Sequence, residues 1–187
     1  MEAWEEELRG RLKQDEPEAS QDAPSAAVAL LLRWEREPEG LLIHRIERED
    51  DPWSGQIALP GGMHDRRDRS PVETARRETW EEVALDVTAS FAFLGRLPRV
   101  RPMNVSQLTV FPYVFSSREE VSPRPGSEVQ ATFWASLPAL RSSRTMRTVQ
   151  AGGREFRVPA YIFEGYIVWG LTYGILTTLF DLQLGFL

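Results

Sequence analysis

The densest run of reactive side chains is Arg76-Arg77-Glu78-Thr79-Trp80-Glu81-Glu82. On a helix, Glu78 and Glu82 are one turn apart. Glu81 lies three residues after Glu78 and next to Glu82, so three carboxylates crowd one side. Like charges at these spacings cost a helix roughly a few tenths of a kcal/mol per pair. A divalent cation is the natural offset, because hard cations such as Mg²⁺ take carboxylate and carbonyl oxygens. Upstream, Gly61-Gly62 allows a tight turn that aims bare carbonyls inward and could supply a neutral oxygen ligand to the same metal. Arg77 could pair with Glu73 or orient a catalytic carboxylate. A helix rich in Glu and Arg is, by itself, more often a solvated face of paired charges. The glycine pair ahead of the helix, with the spacing set out below, reverses those odds.

Composition removes several other chemistries. There is no cysteine, hence no disulfide, zinc–thiolate site or thiol nucleophile. Lys13 is the only lysine, which argues against Schiff-base chemistry and a P-loop. His44 and His64 are the only histidines. The formal charge of -6 disfavours nucleic acid as a partner. Residues 2 to 18 are charged and lack an apolar core, so a cytoplasmic location is expected. The uncharged stretch Tyr166 to Phe180 is shorter than the ~20 residues a membrane span needs and reads as a buried helix, with no membrane partner.

The elements that must position the carboxylates follow from periodicity. Trp4, Leu8 and Leu12 give a short amphipathic helix over Glu2 to Lys13, then a polar linker from Asp15 to Pro24. Residues 1–24 are therefore set apart from a domain at 25–187. Ala26 to Trp34 is a strand buried on both faces, and Leu41 to Arg45 makes a hairpin with it. A loop covers Glu47 to Trp53, and Ser54 to Gly62 is a short strand entering the glycine turn. Ser70-Pro71-Val72-Glu73 starts a helix, with Ser as N-cap, running through Glu82. Its apolar seat is Val72, Ala75, Thr79 and Val83. Further strands are expected at Phe91–Leu97, Leu108–Phe115 (with Pro112 marking an edge or bulge) and Gln130–Trp134. Leu137 to Leu140 can begin a helix. Phe156 and Tyr161–Phe163 suggest short strands, and the last helix runs from Ile167 to Leu182. This order predicts an α/β fold with a mixed sheet packed by helices.

These residues resemble the Nudix box: Gly, five residues, Glu, seven residues, then Arg-Glu-apolar-x-Glu-Glu-x-Gly-apolar. Here Gly62 is followed after five residues by Asp68, and after eight more by Arg77-Glu78-Thr79-Trp80-Glu81-Glu82-Val83-Ala84-Leu85. Asp68 replaces Glu, one residue is added before Arg77, and Ala84 replaces Gly, which suggests a helix end without a left-handed glycine cap. The longer spacing with Asp resembles the coenzyme A diphosphatase branch. Leu41, Leu42 and Arg45 match its upstream strand, and Gly55, Pro60, Gly61 and Gly62 match its lead-in, with Leu59 in place of Phe. Val168-Trp169-Gly170-Leu171-Thr172 resembles its closing helix. One departure is an acid, Asp51, where that branch carries an arginine; Arg48 is a candidate substitute.

The resemblance implies a Nudix fold, an α/β/α sandwich with a catalytic loop-helix-loop. It implies hydrolysis of a diphosphate joining a nucleoside to another group, with Mg²⁺ or Mn²⁺. The expected substrate is coenzyme A or a derivative, giving 3′,5′-ADP and 4′-phosphopantetheine. The alternatives are ADP-ribose or another nucleotide, and a non-catalytic ligand-binding module. Glu78, Glu81, Glu82 and the Gly61 carbonyl would hold metal, and Arg77 would keep the carboxylates in register. The general base would be a box glutamate or an acid on a later loop, where Glu119, Glu120 and Glu128 are candidates. Glu128 leads these because Glu128-Val129 matches a pair common in the family. Arg45 and Gly62 are candidates for substrate contact, as are Arg99 and Arg101 in a basic loop. His64 could reach phosphate, though a surface-loop role is the plainer reading, and His44 reads as a half-buried strand residue. Trp53 and Tyr113 could stack an adenine, but strand aromatics are usually core. A monomer or homodimer is expected.

Overall fold

The computed structural model describes residues 2–16, 24–48, 55–102, 105, 107–117, 119–151 and 153–187. Asp51, Trp53 and most of the linker fall outside them. The elements in chain order are α1 (Ala3–Arg11), β1 (Ser25–Trp34), β2 (Pro38–Arg45), β3 (Ile57–Ala58), β4 (Gly61–Met63), α2 (Pro71–Val83), α3 (Val87–Ser90), β5 (Ala92–Arg96), β6 (Thr109–Ser117), β7 (Val129–Ser136), α4 (Leu137–Ser142), β8 (Thr145–Ala151), β9 (Arg154–Phe163), β10 (Tyr166–Val168) and α5 (Gly170–Phe180).

β1 is the axis of a mixed seven-stranded sheet. It runs parallel to β6 along its whole length, from Ser25↔Thr109 to Arg33↔Ser117. Its other edge is divided. Residues Leu32 to Trp34 pair with Gly40 to Pro38 of β2, while Ala26 to Val28 pair with Met63 to Gly61 of β4. β2 thus leaves β1 after three residue pairs and continues against β7 and β3. The splay admits the Gly61-Gly62 turn into the middle of the sheet.

Alternation along β1 divides the core, as the period-two pleat requires. Ala26, Val28, Leu30 and Leu32 face a cluster built with Leu8 of α1 and Leu12 just after it, Leu137 and Leu140 of α4, and Ile175, Leu176 and Leu179 of α5. Ala27, Ala29 and Leu31 face Val72, Ala75 and Val83 of α2. Helices therefore cover both faces, the expected α/β/α sandwich. Each fully buried Val or Leu contributes about 1.5–3 kcal/mol, so the seat of α2 is firmly held.

Several local expectations change. β6 is an interior strand between β1 and β5, so Pro112 marks no edge. Its carbonyl accepts from Leu97 N, one residue past the end of β5, where its missing donor is not needed. The irregularity sits instead on β5, between Phe93 and Gly95. The short strands suggested around Phe156 are one ten-residue strand, β9, paired with the unforeseen β8 and with β10 in a separate antiparallel sheet. Ile167 and Val168 lie in β10, so the last helix starts only at Gly170, which itself has a positive φ. The apolar stretch that follows buries Tyr173, Ile175, Leu176, Leu179 and Phe180 in the core. Among the described residues, no helix is long and apolar enough to cross a membrane.

Candidate active site

α2 begins with Pro71 at its first turn, as the sequence predicts, but the Ser70 hydroxyl makes no capping bond. Glu73 accepts from Arg69 N at 2.9 Å instead of completing a box with Ser70. The other end differs more. Ala84 takes the left-handed conformation, φ 54°, with its N–H on Trp80 O at 2.9 Å. An alanine there costs about 1 kcal/mol or more, yet the cap forms without glycine. The chain leading to β7 completes it. Arg124 N donates to Val83 O and Gly126 N to Glu82 O, both at 2.8 Å, satisfying carbonyls that the helix end leaves open. Gly126 has no space for a side chain, since a Cβ would press into Glu81 O.

Arg77 is the hub of one flank. Its Nε donates to Asp68 Oδ1 at 3.1 Å and its Nη2 to Asp68 Oδ2 at 3.0 Å. Nη1 reaches Glu78 Oε1 at 2.8 Å and Glu81 Oε2 at 3.1 Å, and Nη2 also reaches Met63 O at 3.2 Å. Arg77 therefore holds the carboxylates in register and does not pair with Glu73. Its bonds to Asp68 and the neighbouring charges raise its own pKa further. Burial works against the charge of Asp68, but bonds from Arg77 and Thr74 prevail and hold it below the usual carboxylate range. Asp68 is more than the box's spacing residue: it accepts from Asp65 N, Thr74 Oγ1 and Arg77.

Glu82 has a different setting. It is almost fully buried and accepts from Gly61 N at 2.8 Å and from Arg45 Nη1 at 3.5 Å. Burial pushes its carboxyl up to about 7, although the Gly61 N–H and the Arg45 charge pull downward. Burial also raises Glu78. Pro60 O bonds to Ala29 N and His64 N to Ser25 O, so the alternating ladder turns the polar groups of Gly61 away from β1 toward Glu82. Gly61, with φ 153°, has its Cα against β1: a Cβ would sit 2.6 Å from Val28 Cα. Close approach to backbone therefore requires glycine at 61, whereas at Gly62 a Cβ would lie 2.5 Å from Glu78 Cδ and would displace that carboxylate.

Glu128 lies just before β7, paired with Arg48 Nη1 at 3.0 Å, and its charge adds to the repulsion felt by Glu82. Glu119 and Glu120 sit beyond the far end of β6. Ser117 there pairs with Arg33, five residues along β1 from Val28, about 17 Å at strand rise. Arg99 and Arg101 are exposed on the β5–β6 loop. Val100 between them bridges to Val110, which faces Ala26, which pairs with Met63. That loop is at the same end of the sheet as the glycine turn, about 14 Å away across three strand spacings. Tyr113 is fully buried and unavailable for stacking on a base. His44 packs on Tyr166 at 5.1 Å, on the opposite face of β2 from Arg45. Thr74 and Gly126 carry no signal that a single sequence displays; only their contacts reveal them.

The donor set suits a hard divalent cation. Asp68, Glu78, Glu81, Glu82 and Glu128 face three guanidinium groups, those of Arg45, Arg48 and Arg77. That leaves an excess of negative charge around a half-buried oxygen cluster. Among the described residues, no three acidic or histidine side chains already converge into a cage.

The NUDIX domain model matches residues 23–154. The chain is 31% identical over 176 residues to the uncharacterized Nudix hydrolase NudL of Yersinia enterocolitica, covering 91% of this chain and 88% of that one. It is 34% identical over 168 residues to NudL of Enterobacter sp. strain 638, with 85% and 82% coverage. A 39% match to the uncharacterized protein C14C4.10c of Schizosaccharomyces pombe covers 55% of this chain but only 33% of that longer protein. A MutT/nudix family protein from Enterococcus faecalis superimposes with TM-score 0.57 at 17% identity, over 90% of this chain and 64% of that one. RenU, a Nudix hydrolase of M. smegmatis, does so with TM-score 0.51 at 21% identity, over 63% and 73%. These two likenesses establish the fold. The chain belongs to the Nudix family, and is a pyrophosphohydrolase of that family.

Proposed function

We propose that the chain hydrolyses the diphosphate of coenzyme A or a derivative, releasing 3′,5′-ADP and a 4′-phosphopantetheine product, with Mg²⁺ or Mn²⁺. The observation that carries the hydrolytic reading is the carboxylate excess at Glu78, Glu81 and Glu82 beside the Gly61 turn. Those three side chains and the Gly61 carbonyl would hold the metal. A bound divalent cation neutralises diphosphate charge and makes a bound water more acidic. Water attacks one phosphorus as the bridging P–O bond breaks, and its proton must go to a base. Glu128 is our choice, because it stands beside Glu82 whereas Glu119 and Glu120 do not. Arg77 orients Glu78 and Glu81 without touching substrate. Gly62 supplies room at the turn, and Arg99 and Arg101 meet outlying phosphates.

The coenzyme A preference rests on the sequence of the Leu41-Leu42-x-x-Arg45 strand, the Pro60-Gly61-Gly62 lead-in and the Val168–Thr172 segment. Arg45 is engaged with Glu82, so its contribution is to that carboxylate first. A second reading is the same chemistry on ADP-ribose or another nucleotide. A panel of coenzyme A, acyl-coenzyme A, ADP-ribose and dinucleoside polyphosphates, with each metal and with products identified, separates them. Turnover of coenzyme A to 3′,5′-ADP is expected. Good ADP-ribose turnover with none of coenzyme A would remove the preference, and no turnover anywhere would leave a binding module.

A further inference from the structure

His64 stands two residues after Gly62, and successive even positions on a strand share a face. Gly62 lies over Glu78, and His64 over Thr74, one helical turn earlier. His64 Nδ1 is 2.7 Å from Thr74 Oγ1, and Thr74 Oγ1 is 2.9 Å from Asp68 Oδ2. Thr74 is wholly buried, and its hydroxyl has one proton. Asp68, gripped by Arg77 through both oxygens, is ionised and can only accept. The Thr74 proton must therefore lie toward Asp68, which leaves the Thr74 oxygen to accept from His64 Nδ1–H. Proton counting thus fixes the whole chain of donors: His64 Nδ1–H to Thr74, Thr74 O–H to Asp68, and Arg77 N–H to Asp68.

We propose that His64 is a positioning residue, locked as the Nδ1–H tautomer, whose Nδ1–H sets the Thr74 hydroxyl so that Asp68 is fully satisfied and holds Arg77 against Glu78 and Glu81. The relay works equally for neutral and charged imidazole, because Nδ1 carries a proton in both. Only the donor on the Nδ1 side is required. An asparagine places its amide N–H near Nδ1, whereas a glutamine reaches toward the Nε2 position and cannot serve.

The inference deepens the proposed hydrolysis, but its first test does not depend on it. His64 and His44 are the only two imidazoles, so ¹⁵N-labelled full-length protein and its His44→Gln variant assign both rings. In the neutral ring the expected signature of His64 is protonated Nδ1 and bare Nε2. The Arg77 Nε–H resonance should remain protected from exchange in His64→Asn and lose that protection at least about tenfold in His64→Gln and His64→Leu. In turnover, His64→Asn should stay within about threefold of wild-type kcat, while His64→Gln loses about tenfold with KM little changed. An Nε2–H tautomer in the wild type overturns the relay. So does a His64→Gln variant whose Arg77 protection and kcat match those of His64→Asn. Absence of turnover in the wild type would count against the hydrolytic reading alone, with the tautomer and exchange results still deciding the relay.

Discussion

The two flanks of α2 carry similar side chains and solve opposite problems. On one, Arg77 gives hydrogen bonds to Asp68, Glu78, Glu81 and the Met63 carbonyl, and Asp68 is satisfied from four donor groups. On the other, Glu82 is buried against one backbone N–H and a 3.5 Å contact from Arg45, with Glu128 nearby. The first arrangement shares one guanidinium among three carboxylates and is densely hydrogen-bonded. The second leaves a carboxylate whose charge costs stability until a cation arrives. Asp68 and Arg77 are therefore the scaffold that holds Glu78 and Glu81 in place, and Glu82 is the least satisfied of the carboxylates. Neither conclusion follows from the box pattern, in which all the glutamates look alike.

The contrast can be broken by substitution. Glu82→Gln should lower kcat at least about a hundredfold while leaving the fold intact; wild-type turnover in this variant would falsify its assigned role. Arg77→Ala leaves Asp68 and Glu78 uncompensated, so a loss of about 3–5 kcal/mol in denaturant unfolding is expected, together with reduced turnover. A loss no larger than that of an exposed ion pair would show that the flank is not a scaffold.

The pH dependence sharpens the same point. In metal-free protein the Glu82 carboxyl titrates at about 7, against 4.5 for its ordinary value. Between those limits the folded state holds a proton that the unfolded state has released, so stability falls as pH rises through the window. The total is on the order of 3 kcal/mol. Asp68 acts with the opposite sign: its stabilisation is present above the ordinary carboxylate pKa and is lost only as pH falls below that range. Urea midpoints of metal-free wild type should thus decline from about pH 4.5 to 7, and those of Glu82→Gln should decline less, since Glu78 is raised in the same direction. Parallel curves would mean that Glu82 is better solvated than its burial indicates.

Smaller effects test the helix end. Gly126→Ala drives a methyl into the Glu81 carbonyl and should cost about 2 kcal/mol, seen as a lower thermal midpoint. Ala84→Gly relieves a left-handed alanine and should gain up to about 1 kcal/mol in the same scan. An unchanged midpoint for Gly126→Ala would mean that the loop before β7 does not close the helix.

The mixed sheet, the strands β1 and β2 and the box helix are legible in the sequence, because hydrophobic period and glycine–proline punctuation are local signals, whereas the α/β/α sandwich comes from the family resemblance. The unbroken burial of β1 and the helix from Pro71 both follow directly. What it hides are effects of distant chain. Pro112 misleads because its missing donor falls just past the end of β5. Ala84 misleads because a loop some forty residues on completes a cap that local rules give to glycine. Within the site, Glu78, Glu81 and Glu82 are visible as a spacing. Their division into a pair bonded to Arg77 and a more deeply buried acid depends on Gly61, Arg45 and Asp68, which only the fold brings together.

The most direct measurement is Mn²⁺ binding, followed by titration calorimetry at about pH 7.5, for wild type, Glu82→Gln and Asp68→Asn. Saturable binding is expected in the wild type, at least about tenfold weaker binding in Glu82→Gln, and a much smaller loss in Asp68→Asn. Equal affinity in wild type and Glu82→Gln, or a greater loss in Asp68→Asn, would contradict the assignment of the two flanks.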